Sequence, residues 1–185
     1  MKIIVFEGID KVGKTTTIKG LSRQLENAGY RPIILAKTFQ ECYDYKGDTR
    51  IWKAKLQSSF AVLQSLTWLG DNYIVLVDRL QLSEIVYGKI LRNGDYDPML
   101  CAEIDNWLTK QGAILVHIIP DCIKDIYENH KDIYGKIDGF TLEQYDQSFR
   151  LFCSLVITST IPNRLEPFQS GVSSLLKKLK EGKMI

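Results

Sequence analysis

Eight consecutive residues restrict this chain's fold more than any other stretch: Gly8-Ile9-Asp10-Lys11-Val12-Gly13-Lys14-Thr15, a complete G-x-x-x-x-G-K-[ST] string. It follows Ile3-Ile4-Val5-Phe6, a continuous apolar run of the kind buried on both faces of a parallel sheet. It precedes a stretch with Ile18, Leu21 and Leu25 at helical spacing and Gly29 as a C-terminal stop. Strand, glycine loop and helix together make a phosphate cradle. The glycines let backbone N–H groups converge on phosphate oxygens, and the helix start adds unpaired N–H groups and the positive end of its dipole. In such a loop Gly8, Ile9, Asp10, Lys11, Val12, Gly13, Lys14, Thr15 and Thr16 line a nucleotide's phosphates. Lys14 bridges the β- and γ-phosphates, and Thr15 offers its hydroxyl to Mg²⁺. ATP and Mg²⁺ are thus the expected cofactors.

The rest of the chain alternates in the same way. Apolar runs at 33–36, 74–77, 114–119 and 155–157 read as further strands, the second of these ending at Asp78 and the third closed by Pro120. Helical patterns fall near 50–69, 83–91, 98–110, 123–128, 141–153 and 172–180. Strands separated by helices imply right-handed crossovers, and so an α/β, three-layer fold built around the P-loop. The expectation is a five-stranded parallel sheet flanked by helices, with a lid loop near 129–139. The length of 185 residues fits a single domain over 1–185. Asp78, at the carboxyl end of its strand, is a second candidate for the Mg²⁺ shell, while Ser83 reads either as a helix cap or as a site residue.

Charge and composition exclude several alternatives. With 24 Lys plus Arg against 22 Asp plus Glu, net charge alone does not argue for nucleic-acid or membrane binding. No apolar stretch reaches the roughly 18–20 residues of a membrane span, and Glu7 arrives too early for a secretory signal. Cys42, Cys101, Cys122 and Cys153 are scattered, as reduced thiols of a cytoplasmic protein would be. A GTPase's Asn-Lys-x-Asp is missing, which favours a small-molecule kinase over a switch protein.

Two stretches carry a family resemblance. Phe6-Glu7-Gly8-Ile9-Asp10-Lys11-Val12-Gly13-Lys14-Thr15-Thr16 resembles the P-loop of the thymidylate kinases, roughly F-E-G-x-D-x-x-G-K-[ST]-T. The stretch from Asp78 to Tyr87 resembles that family's D-R-Y-x-x-S-x-x-A-Y-Q at Asp78, Arg79, Ser83 and Tyr87. The resemblance implies ATP-dependent phosphoryl transfer to a deoxynucleoside monophosphate, dTMP or an analogue, by a homodimer. It implies that Asp10 meets the acceptor's sugar hydroxyl, Arg79 grips its phosphate, Tyr87 packs on the sugar and Ser83 faces the base. Lys14, Asp78, Arg79, Lys11 and Asp10 are then the catalytic candidates, with Lys11 neutralising the transferred group.

The departures from the family pattern lie around the acceptor. Leu80 stands for Tyr and Gly88 for Gln, and Thr38-Phe39-Gln40-Glu41 replaces an Arg-Glu-Pro-like turn, which leaves Phe39 as a changed acceptor contact. No Phe-x-x-x-Arg pair for reading thymine is evident. Trp52 could stack on a base with Gln57 on its edge, or serve only as a core residue; Arg50 could add a phosphate contact. Two other readings stay open. One is a kinase acting on a hydroxyl of a nucleoside, or of a modified base such as a hydroxymethylpyrimidine in DNA, with Asp78 or Glu7 as base. Its motive is the interleaving of Tyr43, Tyr45 and Trp52 with Lys46, Arg50, Lys53 and Lys55. The other is a nucleotide-binding switch without catalysis.

Overall fold

The computed structural model describes residues 1–9, 11–35, 49–119, 163–164 and 172–181, and the single positions 122, 124, 125, 128, 143, 144, 146, 147, 150, 151 and 154. In chain order the elements are β1 (Lys2–Glu7), α1 (Lys14–Asn27), β2 (Arg31–Leu35), α2 (Thr49–Ser65), β3 (Tyr73–Asp78), α3 (Gln81–Leu91), α4 (Pro98–Lys110), β4 (Ile114–His117), β5 (Asn163–Arg164) and α5 (Val172–Glu181). The strands pair in the order β2-β3-β1-β4-β5, and every pairing is parallel.

Alternation along the strands explains the layers. Ile3 and Val5 of β1, Val75 and Val77 of β3 and Leu115 of β4 face one side. There they meet Leu56, Phe60 and Leu63 of α2, Leu82 and Val86 of α3, and Leu100, Ile104 and Leu108 of α4. The intervening residues, Ile4, Phe6, Ile74, Leu76, Ile114 and Val116, face the other side, against Ile18, Leu21 and Leu25 of α1 and Leu179 of α5. The buried apolar residues of β1, β3 and β4 therefore divide between two cores, as a sheet covered on both faces requires. The α/β three-layer arrangement expected from the alternating pattern is the one present.

Local departures have identifiable causes. Helix α2 ends at Ser65, short of 69. The hydroxyls of Ser65 and Thr67 each donate to a carbonyl three residues back, at 2.7 Å, in competition with the helical ladder. Helix α3 starts at Gln81 rather than at Ser83, so Ser83 is not its cap. Pro32 lies within β2, which an edge strand tolerates because one side of it needs no donor. The fifth strand described is Asn163–Arg164, beside Ile114 and Leu115. The expected strand at 155–157, the expected lid at 129–139 and Pro120 lie outside the described residues, as do half of 123–128 and just over half of 141–153. Among the described residues Cys101 and Cys122 are free thiols, and no helix is long and apolar enough to cross a membrane.

Candidate phosphoryl-transfer site

The loop between β1 and α1 is shaped by its neighbours as well as by its own glycines. Gly8 has φ 140° and Gly13 φ 89°, both in the region that favours glycine. A Cβ at Gly8 would lie 2.4 Å from the carbonyl oxygen of Ile118, just past β4. Gly8→Ala therefore meets both a forbidden φ and a rigid backbone atom. It is expected to lower stability by about 2 kcal/mol or more, checked by denaturant unfolding.

Lys14 is buried, and its Nζ donates to the carbonyls of Gly8 at 2.9 Å and Ile9 at 2.6 Å. Thr15 Oγ1 donates to Asp78 Oδ2 at 3.0 Å, joining the start of α1 to the end of β3. The other carboxylate oxygen, Asp78 Oδ1, is buried without a hydrogen-bond partner. A hydroxyl beside an incompletely satisfied carboxylate is an oxygen donor set that suits Mg²⁺, which binds through one or two protein oxygens and keeps its waters. Thr15 and Thr16 are exposed at the helix start, and Lys11 stands exposed at φ 64°.

Arg79 follows Asp78 directly and turns away through a left-handed φ of 73°. Its amide donates to Phe6 O at 3.0 Å, its Nη1 donates to Ser83 Oγ at 3.1 Å, and its guanidinium carbon lies 5.2 Å from the centre of the Tyr87 ring. Glu7 organises this corner. Its Oε1 accepts from Leu80 N at 2.9 Å and its Oε2 from Ser83 Oγ at 2.6 Å. A carboxylate from β1 thus does for α3 what a capping side chain normally does from within the helix. Complete burial raises the Glu7 pKa, opposed by the Ser83 hydrogen bond, the Arg79 charge, the Leu80 amide and the Lys14 charge. With both oxygens occupied and no exposure, Glu7 is not placed as the base considered for a hydroxyl acceptor.

The acceptor-side expectations divide. Arg79, Ser83 and Tyr87 come together. Trp52 is buried, with the guanidinium carbon of Arg92 5.2 Å from its ring centre. Gln57 is exposed and lies about 140° around α2 from Trp52. Arg50 is exposed as well and lines a shallow cavity of about 480 Å³ with Ile51, Ala54, Lys55, Ser58 and Ser59, away from Trp52. Asp10, Phe39, Tyr43, Tyr45 and Lys46 lie outside the described residues.

Two features had no sequence signal strong enough to find them. The ion pair of Glu84 with Arg92 is buried beside Trp52, with Arg92 just past the end of α3, where no helical spacing links it to Glu84. His117, paired with Glu7 across β1 and β4, is buried beneath the loop. Desolvation, and secondly the Lys14 charge, depress its pKa to about 4. A histidine depressed in this way binds fewer protons folded than unfolded. Its contribution is complete above its ordinary value near 6.5 and lost as pH falls towards 4. At about 1.4 kcal/mol per unit this amounts to roughly 3 kcal/mol at most. Melting temperature should drop through that window, and His117→Gln should flatten the drop.

Comparison with known proteins agrees with this geometry. The chain is 24% identical to a thymidylate kinase of Caldicellulosiruptor saccharolyticus over 208 aligned positions, covering 96% of this chain and 98% of that one. The chain resembles the thymidylate kinases. No family model matches it. Two solved structures share its fold, each matched over 98% of both chains. One is the YorR protein of Bacillus subtilis in complex with phosphorylated GDP, with 20% identity and a TM-score of 0.56. The other is a deoxyadenosine kinase of M. mycoides with dCMP and dCDP bound, with 14% identity and a TM-score of 0.63.

Proposed function

We propose that this chain is a nucleotide kinase that transfers the γ-phosphoryl group of ATP to the phosphate of a deoxynucleoside monophosphate, dTMP or an analogue. One observation carries the reading. Adjacent residues at the end of β3 serve opposite partners: Asp78 meets Thr15 of the phosphate loop, while Arg79 turns through a left-handed φ to Ser83 and Tyr87 of α3. A donor site and an acceptor clamp then share one strand end. In the transfer, an acceptor phosphate oxygen bonds to the γ-phosphorus as the bond to the β–γ bridging oxygen breaks, and ADP leaves with that oxygen.

The protein's part is positioning and charge neutralisation. Loop amides and Lys14 hold the donor phosphates, with Lys14 exchanging its present carbonyl partners for phosphate oxygens. Thr15 and Asp78 are the residues that would hold Mg²⁺, which when bound neutralises phosphate charge. Lys11, exposed on the loop, follows the transferred group, and Arg79 presents a planar fork to the acceptor phosphate. A phosphate acceptor is already ionised at neutral pH and needs no base, which agrees with a Glu7 whose two oxygens are committed.

A hydroxyl acceptor is the second reading, favoured by the fold likeness to a deoxyadenosine kinase. The test offers γ-labelled ATP and Mg²⁺ with deoxynucleoside monophosphates, free nucleosides and DNA, and follows the label. Label in monophosphates supports the first reading. Label only in nucleosides or DNA replaces it with the second, and ATP binding without any transfer removes both. The homodimer implied by the resemblance is checked by light scattering.

A further inference from the structure

One buried cluster is left over once the phosphate machinery is accounted for. Glu84 and Arg92 are 3% and 8% exposed and are joined through Oε1 and Nη2. Arg92 Nε donates to Asp95 O at 3.0 Å, while its Nη1 is buried with no acceptor. The guanidinium lies over the Trp52 ring, which ties α3 to α2. Gly88 makes the room: a Cβ there would lie 3.0 Å from Arg92 Nη2 and 2.7 Å from the Tyr96 Cβ. The cluster shares α3 with the acceptor clamp: Glu84 and Gly88 each lie one residue, about 100° around the helix, after Ser83 and Tyr87, the two residues that hold Arg79.

A buried ion pair is seldom the most stabilising filling for such a space, and a buried guanidinium N–H with no acceptor is costly. Both become intelligible if a ligand completes the hydrogen bonding. We propose that Glu84 and Arg92 read the base of the acceptor nucleotide and favour an amino-bearing base (cytosine, adenine or guanine) over thymine. The inference rests on the monophosphate-kinase reading and narrows its acceptor, from dTMP or an analogue, to an analogue with an amino-bearing base. Arg92 is donor-only and, with Nη1, seeks a ring nitrogen or an oxo group. Glu84 is acceptor-only when ionised and seeks an N–H.

Cytosine and adenine place an amino donor directly beside a ring-nitrogen acceptor. Guanine offers two N–H donors to the carboxylate and an oxo group to the guanidinium. Thymine has a single N–H flanked by two oxo groups, of which Arg92 can meet one; the other is left facing a carboxylate. Recognition by hydrogen bonds to a buried charged pair discriminates strongly, because a mismatched edge leaves the site's own groups unpaired.

The experiment compares kcat/KM for dCMP, dAMP, dGMP and dTMP in the wild-type enzyme, in E84Q and in E84Q/R92Q. The double variant keeps a neutral hydrogen-bonding pair where the single one could fail to fold, and thermal melting checks both. The expected result is at least a tenfold wild-type preference for one amino-bearing nucleotide over dTMP. That ratio should shrink about tenfold in the double variant, with the KM for ATP unchanged. A wild-type preference for dTMP overturns the proposal. So does an unchanged ratio, or an equal loss on every base, in a folded double variant. Transfer to no monophosphate at all removes the kinase reading beneath it, a result distinct from transfer with the wrong preference.

Discussion

Lys14→Ala should abolish phosphoryl transfer to every acceptor, with kcat falling by about 10³-fold or more while the fold persists. Removing one preorganised charge-stabilising donor costs about 10²–10³ in kcat. Lys14 has the larger share here because it is the buried cation of the loop, already held against the Gly8 and Ile9 carbonyls. The variant carries an independent marker. Part of the depression of the His117 pKa comes from the Lys14 charge, so titration of the His117 ring should move upward when that charge is removed. Single-turnover transfer and NMR titration together check the prediction. Undiminished turnover would refute the loop assignment, and an unmoved His117 would refute the electrostatic contact.

Arg79→Ala should lower kcat/KM for a monophosphate acceptor by about 10²–10³-fold and leave the KM for ATP little changed. Truncating one member of a buried charge-assisted pairing costs about 2–5 kcal/mol, and each 1.4 kcal/mol is a factor of ten. Arg79→Lys should recover only part of the loss, because an ammonium keeps the charge and forfeits the two-pronged geometry. The substitution also disturbs Glu7. The Arg79 charge is among the influences holding down that carboxyl's raised pKa, so the alanine variant should protonate Glu7 more readily and loosen the start of α3. Kinetics with varied acceptor separate the clamp role from this structural one: a purely structural residue would depress ATP use and acceptor use alike.

What could be read in advance follows from what each signal depends on. The loop from Gly8 to Thr15 and the layered α/β arrangement were legible because local backbone needs and period-two burial dictate residue types directly. Arg79, Ser83 and Tyr87 were legible as a set through the resemblance to the thymidylate kinases, and α3 brings the last two onto one face with Arg79 at its entrance. Gln57 and Arg50 are exposed on α2, and Gln57 lies well around the helix from Trp52, because proximity in sequence is not proximity around a helix. The cap stayed open as a second reading of Ser83 because nothing local announces a carboxylate reaching in from β1. Glu84 and Arg92 escaped notice because their meeting depends on an absent side chain at Gly88 and on Trp52 arriving from another helix.

The contact between Gly8 and the Ile118 carbonyl bears on how such a protein can diversify. The curvature of the nucleotide cradle is moulded from outside by the tip of a strand encoded far downstream, so a drift in either stretch demands a matching drift in the other. Val12 is hemmed in too, 3.4 Å from where a Gly8 side chain would begin. Lys11, pointing into solvent, is the low-cost point of entry for evolutionary experiment, and lineages refining this cradle should accumulate their changes there.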